Sequence, residues 1–339
     1  MNKRIFAAFF SAAGILLLIL DAKTALQGAT EGIRLCLYTV VPSLLPFFVL
    51  SMLLTGALMG ATVGFLRPLG AILGIPKGSE SLLLTGILGG YPTGAQAVAQ
   101  NWRNGYLDAD NASRMMVICN LAGPAFLFGI VGSQFSSVSV TWMLWMIHVL
   151  SAVITAALLP KPIQQFTSVR RGTPISVTEA VSRSVHVMAT VCGWIVLFRV
   201  ILAFLSRWFL WMLPISLEVL IFGLLELANG CCALHQIPHE GLRFVLASGL
   251  LSFGGLCVSM QTASVTTGLD FRGYIPGKLL QTAISIIFAL FIQNVAFAPS
   301  EQLSVFPFVA PILLFMLLFC VKFLHKYKNS SRIFPAIGV

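Results

Sequence analysis

Long apolar runs separated by short polar breaks make up most of the chain, and ten can be drawn: residues 5–20, 33–56, 81–101, 112–134, 138–160, 183–206, 215–236, 241–265, 276–298 and 303–324. Most are about 20 residues long and continuous rather than alternating, which is the texture of bilayer-crossing helices and not of barrel strands. The run from Ser81 to Trp102 differs at its centre, where Gly89-Gly90-Tyr91-Pro92-Thr93-Gly94 interrupts it. Pro92 has no N–H and the glycines weaken a helix, so the spacing predicts two half-helices with a break between them. Broken backbone at membrane depth has to line a protein or water-filled cavity, as in many secondary transporters. Ala61 to Gly78 carries Arg67, Pro68, Pro76 and Lys77 in otherwise apolar sequence and predicts an interfacial helix.

Composition agrees with a membrane protein. Of 339 residues, 58% are hydrophobic and only 9% charged, and the mean hydropathy is +0.93. That is too little charge to cover a soluble surface. The formal charge of +10 sits in short loops and tails beside the runs, the positive-inside pattern, and no basic face or recognition motif points to nucleic acid. The seven cysteines include no C-x-x-C pair and read as small core residues. Lys3 and Arg4 precede the first run. No convincing small-x-small cleavage site follows it before Asp21, so the run is expected to be an uncleaved span.

Charge and crossing number then fix a topology. Lys3 and Arg4, the linker residues Lys161, Arg170 and Arg171, and the tail residues Lys322, Lys326, Lys328 and Arg332 all belong in the cytoplasm. Five full crossings on either side of the linker cannot satisfy this. The conflict disappears if one segment in each half dips in and returns: the Gly89–Gly94 segment in the first half, and 215–236, with Glu226, Asn229 and Gly230, in the second. The fold class is therefore an all-α polytopic membrane protein, about eight spanning helices plus two re-entrant or broken segments in inverted repeats. Its expected parts are 1–32 (first span and loop), 33–160 (first repeat), 161–182 (cytoplasmic linker), 183–298 (second, inverted repeat) and 299–339 (last span and basic tail). Interrupted segments at corresponding places in inverted repeats mark transporters. Cysteine accessibility labelling of the 102–111 loop checks the scheme: a cytoplasmic location is required, and labelling from outside contradicts it.

The candidate binding residues follow from the breaks. Tyr91, Pro92, Thr93, Gly94 and Gln96 offer unwound backbone, a hydroxyl and an amide, and the half-helix starting after Gly94 favours an anion; a plain kink is the structural alternative. Asn120, Gly123 and Pro124 make a second polar interruption, although an intramembrane Asn also serves to bond a neighbouring helix. In the second half Glu226, with Asn229 and Gly230 one turn on, places a charge at membrane depth, which costs roughly 2.5–3.5 kcal/mol on insertion scales. Arg199 is the obvious opposite charge. Either the two pair with each other, or Glu226 takes a coupling proton or cation and Arg199 attracts an anionic solute.

His235, His239 and Glu240 lack the His-Glu-x-x-His order, and Pro238 separates the histidines, so no metal is expected. No Walker loop, G-x-S-x-G or dinucleotide fingerprint occurs. The chain is not expected to be an enzyme, and no cofactor is implied.

Three motifs in order, Val41-Pro-Ser-Leu-Leu-Pro-Phe-Phe48, Gly90-Tyr-Pro-Thr-Gly-Ala95 and the Asn120–Phe128 stretch followed by Gly129, resemble the sporulation integral membrane protein YlbJ (SpoVV) family, which carries the nucleoside-recognition or Gate domain. Residues 33–135 carry the resemblance, with a fainter match over 183–265. It implies a multi-pass protein of endospore-forming bacteria in the outer forespore membrane, moving dipicolinic acid toward the forespore. Gate domains also occur in nucleoside transporters and ferrous-iron permeases. Dipicolinate is a flat dianion, suited by helix N-termini, amides and a membrane cation. The expected function is thus secondary transport of a small anionic solute, with the bilayer as partner. The alternatives are a non-transporting scaffold or assembly factor in spore maturation, and a nucleoside permease. Association with itself or with other sporulation membrane proteins is left open.

Overall fold

A computed structural model describes residues 3–58, 63–161 and 175–297; the expected span at 303–324, its basic tail, and Arg170 and Arg171 of the linker lie outside the described residues. No strand occurs among the described residues. The chain opens with α1 (Lys3–Leu20), α2 (Ala22–Leu35) and α3 (Val41–Leu58), the last two joined without a break by a π-helical turn, Cys36–Val40. Then come α4 (Arg67–Leu73), α5 (Ser81–Gly89), α6 (Thr93–Arg103), α7 (Ala109–Cys119), and α8 (Pro124–Phe126), which runs on through π and 3-10 turns to Gln134, followed by α9 (Val138–Leu158). The second half holds α10 (Val177–Trp208), α11 (Ile215–Leu225), α12 (Leu227–Ala233), α13 (Glu240–Phe253), α14 (Gly255–Val265) and α15 (Tyr274–Ala296). Among the described residues, six helical stretches are long and apolar enough to cross a bilayer: Ala22–Leu58, Ala109–Gln134, Val138–Leu158, Val177–Trp208, Glu240–Val265 and Tyr274–Asn294.

One expectation needs correction at the outset. Residues 21–32 are helix, not loop. Asp21 caps α2 by accepting the Thr24 N–H at 3.3 Å, and the buried face of α2 is Thr24, Gly28 and Gly32, four residues apart. A Cβ on Gly28 would lie 2.9 Å from the Cα of Val200, and one on Gly32 2.9 Å from the Cα of Val196. This is small-residue packing of two membrane helices, and it seats α2 on α10. Charged and polar residues on its other faces hide this helix from a reading of apolar runs.

Both interrupted segments are hairpins. A Cβ on Gly94 would lie 3.1 Å from the Cα of Gly86, whereas eight residues of unbroken helix would separate the two by about 12 Å. The chain therefore reverses at Gly90-Tyr91-Pro92 and lays α6 back on α5. The Tyr91–Pro92 bond is cis, and Gly90 has φ +75°. In the second half a Cβ on Gly230 would overlap the Cα of Gly223, so α12 folds back on α11 about Glu226. The corresponding positions are glycine because two backbones meet there with no room for a side chain.

The order of helix, hairpin, interrupted helix, helix thus occurs twice: α3, α5/α6, α7/α8, α9, and then α10, α11/α12, α13/α14, α15. Each hairpin tip meets an interruption. A Cβ on Gly90 would lie 2.9 Å from the Gly123 nitrogen, and one on Gly255 would lie 2.9 Å from the Gly223 carbonyl oxygen. Gly254 and Gly255 both have positive φ, which ends α13 and restarts the helix as α14. The short α4 is fixed at its ends: Arg67 pairs with buried Glu80 at 3.0 Å, and Lys161 Nζ donates to the Ile72 carbonyl at 2.7 Å.

Candidate functional site

The interruption in the first half leaves main-chain groups without helical partners between Asn120 and Gly123, and inside a membrane protein these need internal partners. Two side chains on α9 and α15 supply them. Lys278 Nζ donates to the Asn120 carbonyl at 2.8 Å, and His148 Nε2 accepts the Ala122 N–H at 3.0 Å. Because Nε2 accepts, the ring proton is on Nδ1, which faces Ser252 Oγ at 3.2 Å. Ser252 lies just before the break in α13/α14. His148 consequently links the two interrupted helices.

Lys278 is the most unusual group in the molecule, with 0% of its surface exposed. Besides Asn120 it donates to Gln281 Oε1 at 2.7 Å, and its Nζ lies 5.4 Å from the centroid of the Tyr91 ring, a cation–π arrangement. No carboxylate among the described residues pairs with it. Around it Asn120 Nδ2 donates to Thr262 Oγ1 and Tyr274 Oη, each at 2.7 Å, while Asn120 Oδ1 is buried without a partner. Tyr91 is fixed from the second half, its hydroxyl donating to the Leu251 carbonyl at 2.8 Å. A cation held only by neutral groups, between the first hairpin and the interruption in α7/α8, has spare charge for an anion.

The expected site residues divide among several surroundings. Tyr91 and Asn120 meet at Lys278, with Gly123 against Gly90 beside them. Pro92 caps α6 and Pro124 opens α8. Gly94 lies against the Cys119 carbonyl. Thr93 and Gln96 face elsewhere, into a small cavity of about 30 Å³ shared with Met52, Thr55, Gln100 and Arg183. That volume holds one or two waters. The residues of the Tyr91–Gln96 segment, grouped together in the sequence, are therefore separated: Tyr91 in the turn faces Lys278, while Thr93 and Gln96 of α6 line the other cavity.

The Glu226–Arg199 pair is likewise absent. Arg199 pairs with Glu31 of α2, a partner on the helix that was read as loop, and its guanidinium lies over the Phe222 ring at 5.8 Å. Glu226 instead caps α12. Its Oε1 accepts the Ala228 N–H at 3.0 Å, and its Oε2 accepts the Asn229 N–H at 2.6 Å and Nδ2 at 2.7 Å. The carboxylate thus satisfies the backbone that the hairpin turn exposes, and Gly230 allows the two arms to close. Arg199→Gln is expected to keep solute uptake within about twofold and to cost about 1 kcal/mol of stability, since Glu31 is part-exposed and the pair screened. A thermal-shift series alongside uptake checks both.

Lys278, His148, Gln281, Tyr274 and Thr262 were missed as site residues. Lys278 stands near the start of an apolar run, where a lysine ordinarily reads as a flanking charge. The signal was present in the spacing: Lys278, Gln281, Thr282 and Ser285 recur at i, i+3, i+4 and i+7, one polar stripe on an otherwise apolar helix. Thr141, His148, Ser151 and Thr155 form a similar stripe on α9, and all are buried. Arg114 was missed too; it is buried and donates to the Leu73 and Ala156 carbonyls at 2.5 and 2.6 Å, near the C-terminal ends of α4 and α9, where a cation is favoured.

These features define a polytopic membrane protein, all-helical among the described residues, with two broken-helix hairpins, two interrupted helices and a buried cation beside the first of each. The chain is similar to the sporulation integral membrane protein YlbJ of Bacillus subtilis (strain 168), 26% identical over 318 aligned residues, spanning 79% of this chain and 77% of that protein. This similarity agrees with the three ordered motifs. No family model matches the chain. No solved structure matches it either.

Proposed function

We propose that the chain is a secondary transporter that carries a small dicarboxylate, dipicolinic acid, across a forespore membrane during sporulation. The observation that supports this most is Lys278, fully buried and without a carboxylate among its described neighbours. A buried charge costs several kcal/mol unless it is paired, and a solute carboxylate is the missing partner. The unpartnered Asn120 oxygen shows that the surrounding polar groups are not saturated by one another.

In this reading the two halves are inverted in the membrane, the 161–182 linker and both termini are cytoplasmic, and the hairpins alternate in exposing Lys278 to the two sides. A non-transporting scaffold has no need of a charged, hydrogen-bonded interior. A nucleoside permease would recognise its neutral solute through hydrogen bonds alone, for which a buried ammonium without a counter-charge is unsuited. The chain acts as a carrier and not as an enzyme, and its partners are the solute and the lipid. Dipicolinate uptake into proteoliposomes holding the purified chain tests the reading: saturable uptake is expected, and uptake of uridine but not dipicolinate would favour the permease.

A further inference from the structure

The second polar site, the cavity that Thr93 and Gln96 face, has no part in the Lys278 cluster. It runs along the first two turns of α6, an 11-residue helix whose N-terminal dipole favours negative charge. Thr93 lines the cavity and is 3% exposed, and its Oγ1 is buried without a hydrogen-bond partner. Gln96 Oε1 is also buried and unpartnered. An amide can turn to present its NH2 group instead of its oxygen. Gln100 adds a second amide, and Arg183 lines the same cavity. The Arg183 guanidinium is held by Glu179 at 2.5 Å, both side chains being about two-fifths exposed, so the pair is readily exchanged for another anion.

Unpartnered oxygens could also hold a cation. Two observations argue against that here. The helix N-terminus and the guanidinium both put positive potential on the cavity, and a hydroxyl with no acceptor is a free donor.

We propose that this cavity, lined by Thr93, Gln96, Gln100 and Arg183, is a loading subsite that binds one carboxylate of the solute before it reaches Lys278. The inference rests on the transporter reading above. Thr93 and Tyr91 stand two residues apart on the hairpin tip, one facing the loading cavity and the other facing Lys278. A carboxylate released from the first can thus be passed around one turn of chain to the second.

The test measures equilibrium binding of radiolabelled dipicolinate to the full chain in nanodiscs, and uptake in proteoliposomes. Thr93→Val and Arg183→Gln are each expected to weaken binding about tenfold, as the loss of one hydrogen bond to a charged group would. The half-saturating concentration for uptake should rise with it, the effect falling there and not on the maximal rate. Thr93→Ser keeps the hydroxyl and should bind like the parent chain; if Thr93→Val does not fold, Arg183→Gln and Thr93→Ser decide. Unchanged affinity in Thr93→Val and Arg183→Gln, with the parent chain transporting, overturns the subsite and leaves the transporter reading intact. Sodium-dependent binding lost in Thr93→Val but kept in Arg183→Gln overturns it in favour of a cation site. A parent chain that neither binds nor transports dipicolinate removes the transporter reading and the subsite together.

Discussion

Replacing Lys278 by methionine should lower dipicolinate uptake at least about 100-fold, a loss of roughly 2.7 kcal/mol of solute stabilisation, while the protein stays folded. The two effects separate because the lysine has two roles of different weight. As a structural group it donates to the Asn120 carbonyl and to Gln281. Losing those bonds costs about 1–3 kcal/mol for an acceptor left unpaired. Removing a desolvated charge returns a similar amount, since replacing buried ionic groups by apolar ones of like volume is often neutral or stabilising. A net change within about 2 kcal/mol is expected on this balance, seen as a small shift of thermal midpoint in detergent. As a solute ligand it has no substitute, because no other cation among the described residues touches the cluster around Asn120. Lys278→Arg should recover only part of the activity, for a planar fork does not fit the place of a compact ammonium. Normal uptake by Lys278→Met would reduce the lysine to a tie for the broken backbone.

Gly94→Ala should remove folded protein altogether. The added methyl would overlap the Cys119 carbonyl oxygen and come within 3.1 Å of the Gly86 Cα, and both are backbone, so neither side can yield without opening the hairpin. A cost of about 3 kcal/mol or more is expected from such overpacking, against the gain of about 1 kcal/mol that alanine brings to an unhindered helix position. Gly193 provides the comparison. It lies within α10, and a Cβ there meets nothing within 4 Å, so Gly193→Ala should be neutral or slightly stabilising. Monodisperse yield and thermal midpoint of the two variants make the measurement. A stable Gly94→Ala protein would mean that α5 and α6 are not packed as a hairpin.

The hairpins were legible in the sequence because backbone breaks announce themselves: Gly90-Tyr91-Pro92 cannot continue a helix, and positive clusters at the N-terminus, linker and tail that all belong on one side required a segment in each half to turn back. The second hairpin was found by the same crossing arithmetic at Glu226, where the structure does turn the chain. What the sequence concealed was partnership. Glu226 and Arg199 are the two conspicuous charges in apolar runs and invite pairing with each other. Their true partners are backbone N–H groups for one and Glu31 for the other. Glu31 lies in α2, whose moderate hydropathy hides a packed helix. Lys278 was concealed for the opposite reason, standing where lysines commonly flank a span. Only the stripe it shares with Gln281, Thr282 and Ser285 distinguishes a buried lysine from a snorkelling one. Thr93 and Tyr91, two residues apart, were grouped together because spacing along the chain does not say which side of a hairpin tip a side chain takes.

The central claim is that the buried lysine at the meeting of the two interrupted helices serves an anionic solute. Initial rates of radiolabelled dipicolinate uptake into proteoliposomes, compared between the parent chain and Lys278→Met reconstituted at equal density, test it most directly. Saturable uptake by the parent chain and its loss in the variant is the predicted result; no uptake by well-folded parent protein, or equal uptake by both, contradicts it.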